Sequence, residues 1–359
     1  MASLRVLIAG GGTGGHIIPA LAVARELVER HSAEILFVGT ERGLETRLVP
    51  GAGFPLHLIQ VGPLNKVSLA TRMRTLVDIP SSVWACRRLM KEWKPDVVLG
   101  IGGYASGPGV AAAMLMHVPT LLFEPNAMPG LTNRLVGKRV QGAAVNFPAA
   151  TQWFKNAEVT GVPVRPEFFK VPPYVGPPRL LVFGGSQGAR VLNVTMPAIL
   201  KDLLDAVPEL TVVHQCGARH AETTQAAFAA TGADATLWQV SAFLDDMPAR
   251  FAQASLVLCR SGASTVAELA AAGRASLLVP FAAAADDHQT RNAEEMAKAG
   301  AAVLLPEREL ASGVKLLETL TALLRNPERV AAMGEAARTQ AHPGAAARIA
   351  DRLAELVKR

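Results

Sequence analysis

The sequence predicts an α/β protein made of two doubly wound parallel-sheet domains that face a cleft. Three observations predict it. Short β-branched apolar runs alternate with longer helical patterns from end to end. The runs are continuously apolar, as strands covered on both faces are. The pattern also occurs twice, once on each side of a proline-rich stretch. The length of 359 residues agrees, since domains average ~100–200 residues.

In the first half the expected strands are Leu4–Ala9, Ile35–Val38, Leu56–Gln60, Val97–Ile101, Thr120–Phe123 and Ala143–Phe147. In the second half they are Arg179–Phe183, Thr211–Gln215, Ala235–Val240, Leu256–Cys259, Ser276–Val279 and Ala302–Leu304. Between the halves, Gly161-Val-Pro-Val-Arg-Pro166 and Val171-Pro-Pro-Tyr-Val-Gly-Pro-Pro178 favour extended backbone and interrupt helices. The expected domains are therefore 1–162 and 163–342. The pattern is helical from Val314 onward, and the last helix, in 343–359, could pack on either domain. Ligand loops at the carboxyl ends of two such sheets would line a cleft able to close around two substrates.

Composition narrows the class. Half the residues are hydrophobic and 18% are charged, which excludes a disordered chain. The three cysteines form no CxxC pair, so neither a disulfide framework nor a cysteine zinc site is expected. The start lacks the apolar stretch and cleavage site of a signal peptide, which points to the cytoplasm. Val97–Phe123 contains no Asp, Glu, Lys or Arg, but its glycines and prolines divide it into strand, loop, helix and strand, a buried α/β core rather than a membrane span.

Four expected strands run into small-residue loops that open helices: Gly10-Gly-Gly-Thr-Gly-Gly-His16, Gly102-Gly-Tyr-Ala-Ser-Gly-Pro108, Gly184-Gly-Ser-Gln-Gly-Ala-Arg190 and Arg260-Ser-Gly-Ala-Ser-Thr-Val266. Glycine lets a backbone approach an anion closely, and a helix N-terminus presents open N–H groups with a favourable dipole. Such corners suit pyrophosphate or sugar ligands, although a tight strand-to-helix turn uses the same residues. Gly10, Gly12 and Gly15 also satisfy the dinucleotide fingerprint, with Glu41 as an acidic ribose ligand. No loop carries the Walker lysine, which disfavours a P-loop NTPase. The histidines show no HxH or HExxH spacing and no Asp-x-Asp pair exists, so no metal site and no cofactor are expected. Cys259 ends a strand beside Arg260 and reads as a buried small residue rather than a nucleophile.

Taken together, these loops resemble the bacterial N-acetylglucosaminyltransferase family that converts lipid I to lipid II in peptidoglycan synthesis. The resemblance also covers Glu124-Pro-Asn-Ala127 with Gly130-Leu-Thr-Asn133, Gly161-Val-Pro-Val-Arg165, Phe243-Leu-Asp-Asp-Met247, Cys259–Glu268 and His288-Gln289. It implies a GT-B fold and inverting transfer of GlcNAc from UDP-GlcNAc to the C4 hydroxyl of MurNAc in lipid I. The implied setting is cell wall biogenesis at the cytoplasmic face of the inner membrane, with the enzyme peripheral. The family places UDP-GlcNAc contacts on Thr13, Gly14, Gly15, Asn126, Arg165, Ser186, Leu244, Ala263, Ser264, Thr265, Val266, Ala267, Glu268 and Gln289. The chain departs from the family at Phe123-Glu-Pro125, where His-Glu-Gln is usual, and at His288, where the first glutamine of a pair is usual.

Inverting transfer needs a base on the acceptor hydroxyl and neutralisation of the departing pyrophosphate. His16, at the end of the first loop, is the candidate base, since an imidazole pKa of ~6.5 suits proton acceptance at neutral pH; a helix-capping or phosphate-contacting histidine is its plainer reading. Glu124 is the reserve base, or else orients its loop or hydrogen-bonds the acceptor. Glu268 could accept from both ribose hydroxyls, Leu244 could read uracil through its backbone, and Arg165 could reach the nucleotide or form a salt bridge. The loop 184–188 and the helix start at Ala263 offer donors to the leaving group.

A lipid-linked acceptor requires a membrane surface. Residues 65–94 hold most of the +6 net charge, with Lys66, Arg72, Arg74, Arg87, Arg88, Lys91 and Lys94 interspersed among Leu64, Val67, Leu69, Met73, Leu76, Val77, Ile79, Trp84, Leu89, Met90 and Trp93. This mixture fits contact with anionic lipid, and an amphipathic helix packed on the sheet is its plainer reading. No nucleic-acid module appears. The competing functions are another nucleotide-sugar enzyme of this fold, such as a UDP-GlcNAc epimerase, an NAD(P)-dependent dehydrogenase, and a sugar-capturing hinge protein.

Overall fold

A computed structural model describes residues 3–12, 14–41, 43–60, 69–103, 106–185 and 187–358, with 69–77 and 285 described by backbone alone. The chain divides into two compact units, Met1–Pro163 with Gly344–Arg359, and Val164–Pro343.

The first unit begins with β1 (Arg5–Ala9), α1 (Gly14–His31), β2 (Glu34–Thr40), α2 (Glu45–Gly51), β3 (Leu56–Ile59) and α3 (Leu69–Trp93). It continues with β4 (Val97–Gly100), α4 (Ser106–Leu115), β5 (Thr120–Glu124), α5 (Leu131–Val136), β6 (Gly142–Val145) and β7 (Ala157–Val159). The second begins with α6 (Pro166–Phe169), β8 (Arg179–Phe183), α7 (Arg190–Ala206), β9 (Thr211–Gln215), α8 (Ala221–Ala229), β10 (Trp238–Ser241), α9 (Met247–Ala252) and β11 (Leu256–Cys259). It ends with α10 (Ala263–Ala272), β12 (Ala275–Leu278), α11 (His288–Lys298), β13 (Ala302–Leu304), α12 (Val314–Leu324) and α13 (Pro327–Thr339).

Each unit holds one parallel sheet. The first has the order β3-β2-β1-β4-β5-β6-β7 and the second β10-β9-β8-β11-β12-β13. Numbered within its own unit, each is the doubly wound order 3-2-1-4-5-6, extended by β7 at one edge of the first. In that order the chain reverses direction across the sheet between β1 and β4, and between β8 and β11. The loops leaving those four strands are the four glycine loops.

The expected strands form, with shifts at their ends. Asp234 accepts from the Thr236 N–H at 2.9 Å and from its hydroxyl at 2.8 Å, closing a turn that starts β10 at Trp238 rather than Ala235. β7 was not expected; it is a three-residue half-buried edge with a glutamate at its centre, too short and too polar to read as an apolar run. The charge-free stretch Val97–Phe123 becomes β4, α4 and most of β5, with Val97, Val98, Leu99, Val110, Ala112, Leu121 and Leu122 fully buried. Among the described residues no helix is long and apolar enough to cross a membrane.

The last helix, α14 (Ala345–Val357), packs on α1, β4 and β5 of the first unit. Its inner face buries Ile349, Ala350, Leu353 and Leu356. Polar ties sit at both flanks: Asp351 accepts from Arg30 at 2.8 Å and lies 2.9 Å from His31 Nε2, while Glu158 of β7 accepts from Arg348 at 2.5 Å and lies 3.1 Å from Arg352 Nε. Arg352 is only 13% exposed, and its guanidinium lies between Glu158 and Glu355. Glu158→Ala should cost about 1–2 kcal/mol, read as a lowered urea midpoint; a midpoint unchanged from wild type would show that α14 is held by its apolar face alone.

Candidate active site

In the first unit the two switch-point loops press backbone against backbone. Gly10 (φ +149°), Gly102 (φ +84°) and Gly103 (φ +78°) adopt conformations that side chains rarely take. A Cβ on Gly103 would lie 2.1 Å from the Gly11 carbonyl oxygen, and one on Gly10 2.5 Å from that of Gly102. Only glycine allows this approach. α1 opens at Gly14, half-buried, and Gly15, exposed. His16 follows, half-buried, with its ring against the second loop: a Cβ on Gly102 would meet His16 Cε1 at 3.1 Å. The first loop thus carries His16 to the carboxyl end of the sheet. Thr13 lies outside the described residues.

Glu124 ends β5 and is 2% exposed. Its Oε1 accepts from the Asn126 N–H at 3.0 Å and the Asn126 side-chain amide at 3.1 Å. Its Oε2 accepts from the Gly130 N–H at 3.1 Å and Asn133 Nδ2 at 3.0 Å. Burial pushes the carboxyl up, against the downward pull of these donors. Both oxygens are committed to the 126–133 loop, which favours the loop-orienting role over proton acceptance. Asn126 belongs to this loop, its amide turned on Glu124.

Glu41, the ribose ligand of a dinucleotide reading, is exposed just beyond β2. Sequence reasoning missed Glu45, which is fully buried beneath the first loop. It accepts from the Gly12 N–H at 2.8 Å and the Thr40 N–H at 2.9 Å. The acidic group nearest the first loop is therefore spent inward rather than offered to a ribose.

In the second unit the loop after β8 meets the loop after β9. A Cβ on Gly188 (φ +73°) would lie 1.8 Å from the Cys216 carbonyl oxygen, and one on Gly217 2.3 Å from that of Gln187. A buried relay fixes the contact: Asn193 Nδ2 donates to the Cys216 carbonyl at 2.9 Å, and His214 Nε2 lies 2.9 Å from Asn193 Oδ1. Burial lowers the His214 pKa to about 4, so the ring is neutral and donates. Ser186 lies outside the described residues. Gly217 donates to the Ala242 carbonyl at 3.1 Å, which brings the segment before Leu244 beside these loops. Leu244 is 4% exposed, its side chain buried.

The loop after β11 opens α10 at Ala263. Its N-cap Gly262 supplies no side-chain acceptor, so the first-turn N–H groups of Ala263, Ser264 and Thr265 are unused by a cap. Val266 is buried and Ala267 half-buried. Glu268 stands one turn in, its pKa raised to about 7 by removal from water and opposed by the charge of Arg165. Arg165 is exposed and places its guanidinium 5.1 Å from the centre of the Phe168 ring, on α6, which packs against α10. Gln289 accepts from the Phe281 N–H at 2.9 Å, and its carbonyl accepts from the buried Ser261 hydroxyl at 2.8 Å. Arg260 holds the same turn, donating to the carbonyls of Val279 and Pro280 and to Glu307 at 2.9 Å. Cys259 is fully buried and its thiol pushed up, consistent with an inert strand residue.

The second unit therefore gathers Arg165, Leu244, Ala263–Glu268 and Gln289 around one switch point, while Gly14, Gly15, His16 and Asn126 lie in the first unit. Among the described residues no group of three or more His, Cys, Asp or Glu is placed to hold a metal ion. The arrangement of the second unit suits an anion at α10 and hydroxyl groups at Glu268.

Residues 6–145 match the glycosyltransferase family 28 N-terminal domain, and residues 179–349 the C-terminal domain of the same family. The UDP-N-acetylglucosamine--N-acetylmuramyl-(pentapeptide) pyrophosphoryl-undecaprenol N-acetylglucosamine transferase of Anaeromyxobacter sp. (strain Fw109-5) is 45% identical, over 99% of this chain and 94% of its own. The enzyme of that name from Solibacter usitatus is also 45% identical, over 98% and 96%. Among solved structures, MurG of Acinetobacter baumannii is similar, with a TM-score of 0.84 and 33% identity, over 98% of this chain and 99% of that one.

An acid with a raised native pKa binds its proton more tightly when folded, so Glu268 lowers stability as pH rises from the unfolded carboxyl value of 4.5 to about 7, above which the penalty is constant. Glu268→Gln removes this penalty. The stability of the variant relative to wild type should grow between pH 5 and pH 8 by up to about 3 kcal/mol, measured by urea unfolding. A difference independent of pH would show that Glu268 is ordinarily solvated.

Proposed function

The chain belongs to glycosyltransferase family 28 and, with relatives 42–45% identical over nearly its whole length, we propose that it is an inverting N-acetylglucosaminyltransferase. It moves GlcNAc from UDP-GlcNAc to the C4 hydroxyl of MurNAc in undecaprenyl-pyrophosphoryl-MurNAc-pentapeptide, making lipid II from lipid I for peptidoglycan synthesis. Beyond kinship, the observation that carries this reading is the second unit's switch point, where the uncapped start of α10, the glycine loop after β8 and Glu268 meet the needs of a nucleoside diphosphate sugar.

In this mechanism His16 takes the proton of the acceptor hydroxyl as its oxygen forms a bond to C1 of GlcNAc. The bond from C1 to the UDP oxygen breaks on the opposite face, and UDP leaves with the electron pair. The first-turn N–H groups of α10 and the Gly184–Gly188 loop, Ser186 included, neutralise that charge without reorganising. Glu268 accepts from the ribose hydroxyls, the backbone of Leu244 reads uracil, Gln289 contacts the sugar, and Arg165 contacts the nucleotide. Thr13, Gly14, Gly15 and Asn126 complete the donor contacts from the first unit. Glu124 acts by holding the loop that carries Asn126.

The acceptor is lipid-linked, and α3 is the proposed membrane contact. Cys86, Leu89, Met90 and Trp93 pack into the core beneath it, as the plainer reading expected. Trp84 is 64% exposed, and Arg88 and Lys91 follow it on the same exposed face at i+4 and i+7. Lys66 lies outside the described residues, and only the backbone of Arg72 and Arg74 is described. We infer docking of this face on the anionic cytoplasmic surface of the inner membrane.

With UDP-GlcNAc and a lipid I analogue, the expected product is a β-1,4 disaccharide on the lipid pyrophosphate. Transfer only to simple sugars, or conversion of UDP-GlcNAc alone, would replace the assignment with another nucleotide-sugar enzyme. His16→Ala should lower kcat by roughly 10²–10⁴-fold with UDP-GlcNAc affinity unchanged; full activity would remove the base. The combined change of Trp84, Arg88 and Lys91 to Ala should weaken sedimentation with phosphatidylglycerol vesicles at least about tenfold, and unchanged sedimentation would return α3 to a solvated face.

A further inference from the structure

Glu45 opens α2 and is fully buried. Its Oε1 accepts from both the N–H and the hydroxyl of Thr40, at 2.9 and 3.0 Å, and its Oε2 accepts from the Gly12 N–H at 2.8 Å. The side chain thus bridges the end of β2 to the loop after β1. Three glycines make room for it. A Cβ on Gly11 would lie 2.3 Å from Glu45 Oε1, one on Gly43 1.8 Å from Oε2, and one on Gly39 2.6 Å from Cγ. Neither Gly11 nor Gly39 has a positive φ, so the backbone at both would accept alanine, and the space taken by the carboxylate explains their identity. The Gly11 carbonyl, on this strapped loop, is in turn the atom that a Cβ on Gly103 would strike. Glu45 therefore fixes the first loop from below while the second loop fixes it from the side.

We propose that Glu45 is a positioning residue for GlcNAc transfer: it sets the backbone at Gly11–Gly12 and, through it, the placement of His16 toward the acceptor. This rests on the functional reading above, in which His16 meets the acceptor hydroxyl. Glutamine has the same shape but cannot replace it, because its amide group would face the N–H of either Gly12 or Thr40, donor against donor.

The full-length protein tests this in two independent readouts. In steady-state transfer, Glu45→Gln should raise the KM for the lipid I analogue at least fivefold and lower kcat at least tenfold, with the KM for UDP-GlcNAc within twofold of wild type. A loss of folded enzyme would lower kcat but move neither KM. Thr40→Val, which removes only the hydroxyl donor, should give a two- to threefold rise in acceptor KM and keeps the test open if Glu45→Gln fails to fold. Values within 1.5-fold of wild type in whichever variant folds would overturn the proposal. The second readout needs no activity. Amide hydrogen exchange in the peptide spanning Gly10–His16 should be at least tenfold faster in Glu45→Gln, or at least threefold faster in Thr40→Val, with the β8–α7 loop unchanged; unaltered exchange would show that the carboxylate does not hold the loop. If wild type shows no transfer to the lipid acceptor, the functional reading fails, and exchange alone decides the structural half.

Discussion

Everything at the carboxyl ends of these sheets depends on how closely two loop backbones can approach. The doubly wound order makes the loops after β1 and β4 neighbours, and those after β8 and β9 are likewise adjacent across the sheet. A ligand-facing N–H is useful only if nothing stands in front of it, so the loops must be bare as well as near. At Gly103 against Gly11 and at Gly188 against Cys216, a single methyl group would overlap a carbonyl oxygen. Overlaps of that size are relieved by moving the backbone, at a cost of order 1–3 kcal/mol, and the movement would displace the groups that open α1 and α7.

Bare loops lose the side-chain packing that would otherwise hold them, and both units restore rigidity with buried polar struts. In the first unit these are Glu45 under the first loop and Glu124 under the loop 126–133. In the second they are the His214–Asn193 relay to the Cys216 carbonyl and the Arg260–Glu307 pair around the turn at Val279–Ala282. Each strut joins neighbouring loops or a loop to its strand, so that a conformation set at one strand end is carried to the next. Buried groups of this kind stabilise most when their polar atoms find partners: Glu124 has four donors on two oxygens, whereas His214 makes its bond through Nε2 and leaves Nδ1 without one among the described residues.

Much of this was legible in the sequence because it is local. Continuous runs such as Val97–Gly100 and Leu256–Cys259 declare buried parallel strands, and the glycines that follow them declare the loops. What was not legible is what sequence separation hides. Glu45 is explained by Gly11, more than thirty residues earlier, and a glutamate near a strand end reads more readily as a ribose ligand, which is how Glu41 drew attention. The attachment of α14 was open because its apolar stripe would suit either sheet, and the polar partners it meets in the first unit, Arg30, His31 and Glu158, are far away in the chain. β7 escaped notice for a different reason: a three-residue edge strand needs no apolar run, since one side of it has no neighbour to cover. In the candidate site, the roles proposed for Leu244 and Glu268 come from family likeness, and the buried leucine side chain and the burial that raises the glutamate to about 7 are features of packing alone.

The placement of acidic groups follows from the charge of the ligands proposed. Two like charges ~6 Å apart repel by about 3 kcal/mol at an effective dielectric of 20, enough to forfeit roughly two decades of affinity for a pyrophosphate. Glu45 and Glu124 avoid this by withdrawing behind the loops, where backbone and amide N–H groups take up their lone pairs and the carboxylates serve as fasteners instead. Glu268 is the exception, less deeply buried than either, and the difference is chemical: a ribose offers neutral hydroxyl donors, which a carboxylate binds well, and Arg165 acts on it with an opposing charge. Removal from water weakens the charged form of Glu268, and hydroxyl donors would favour that form again. A nucleotide arriving at α10 would thus bring its phosphates to open N–H groups and its ribose to the acidic side chain left within reach, a separation of charge that the first two turns of one helix provide.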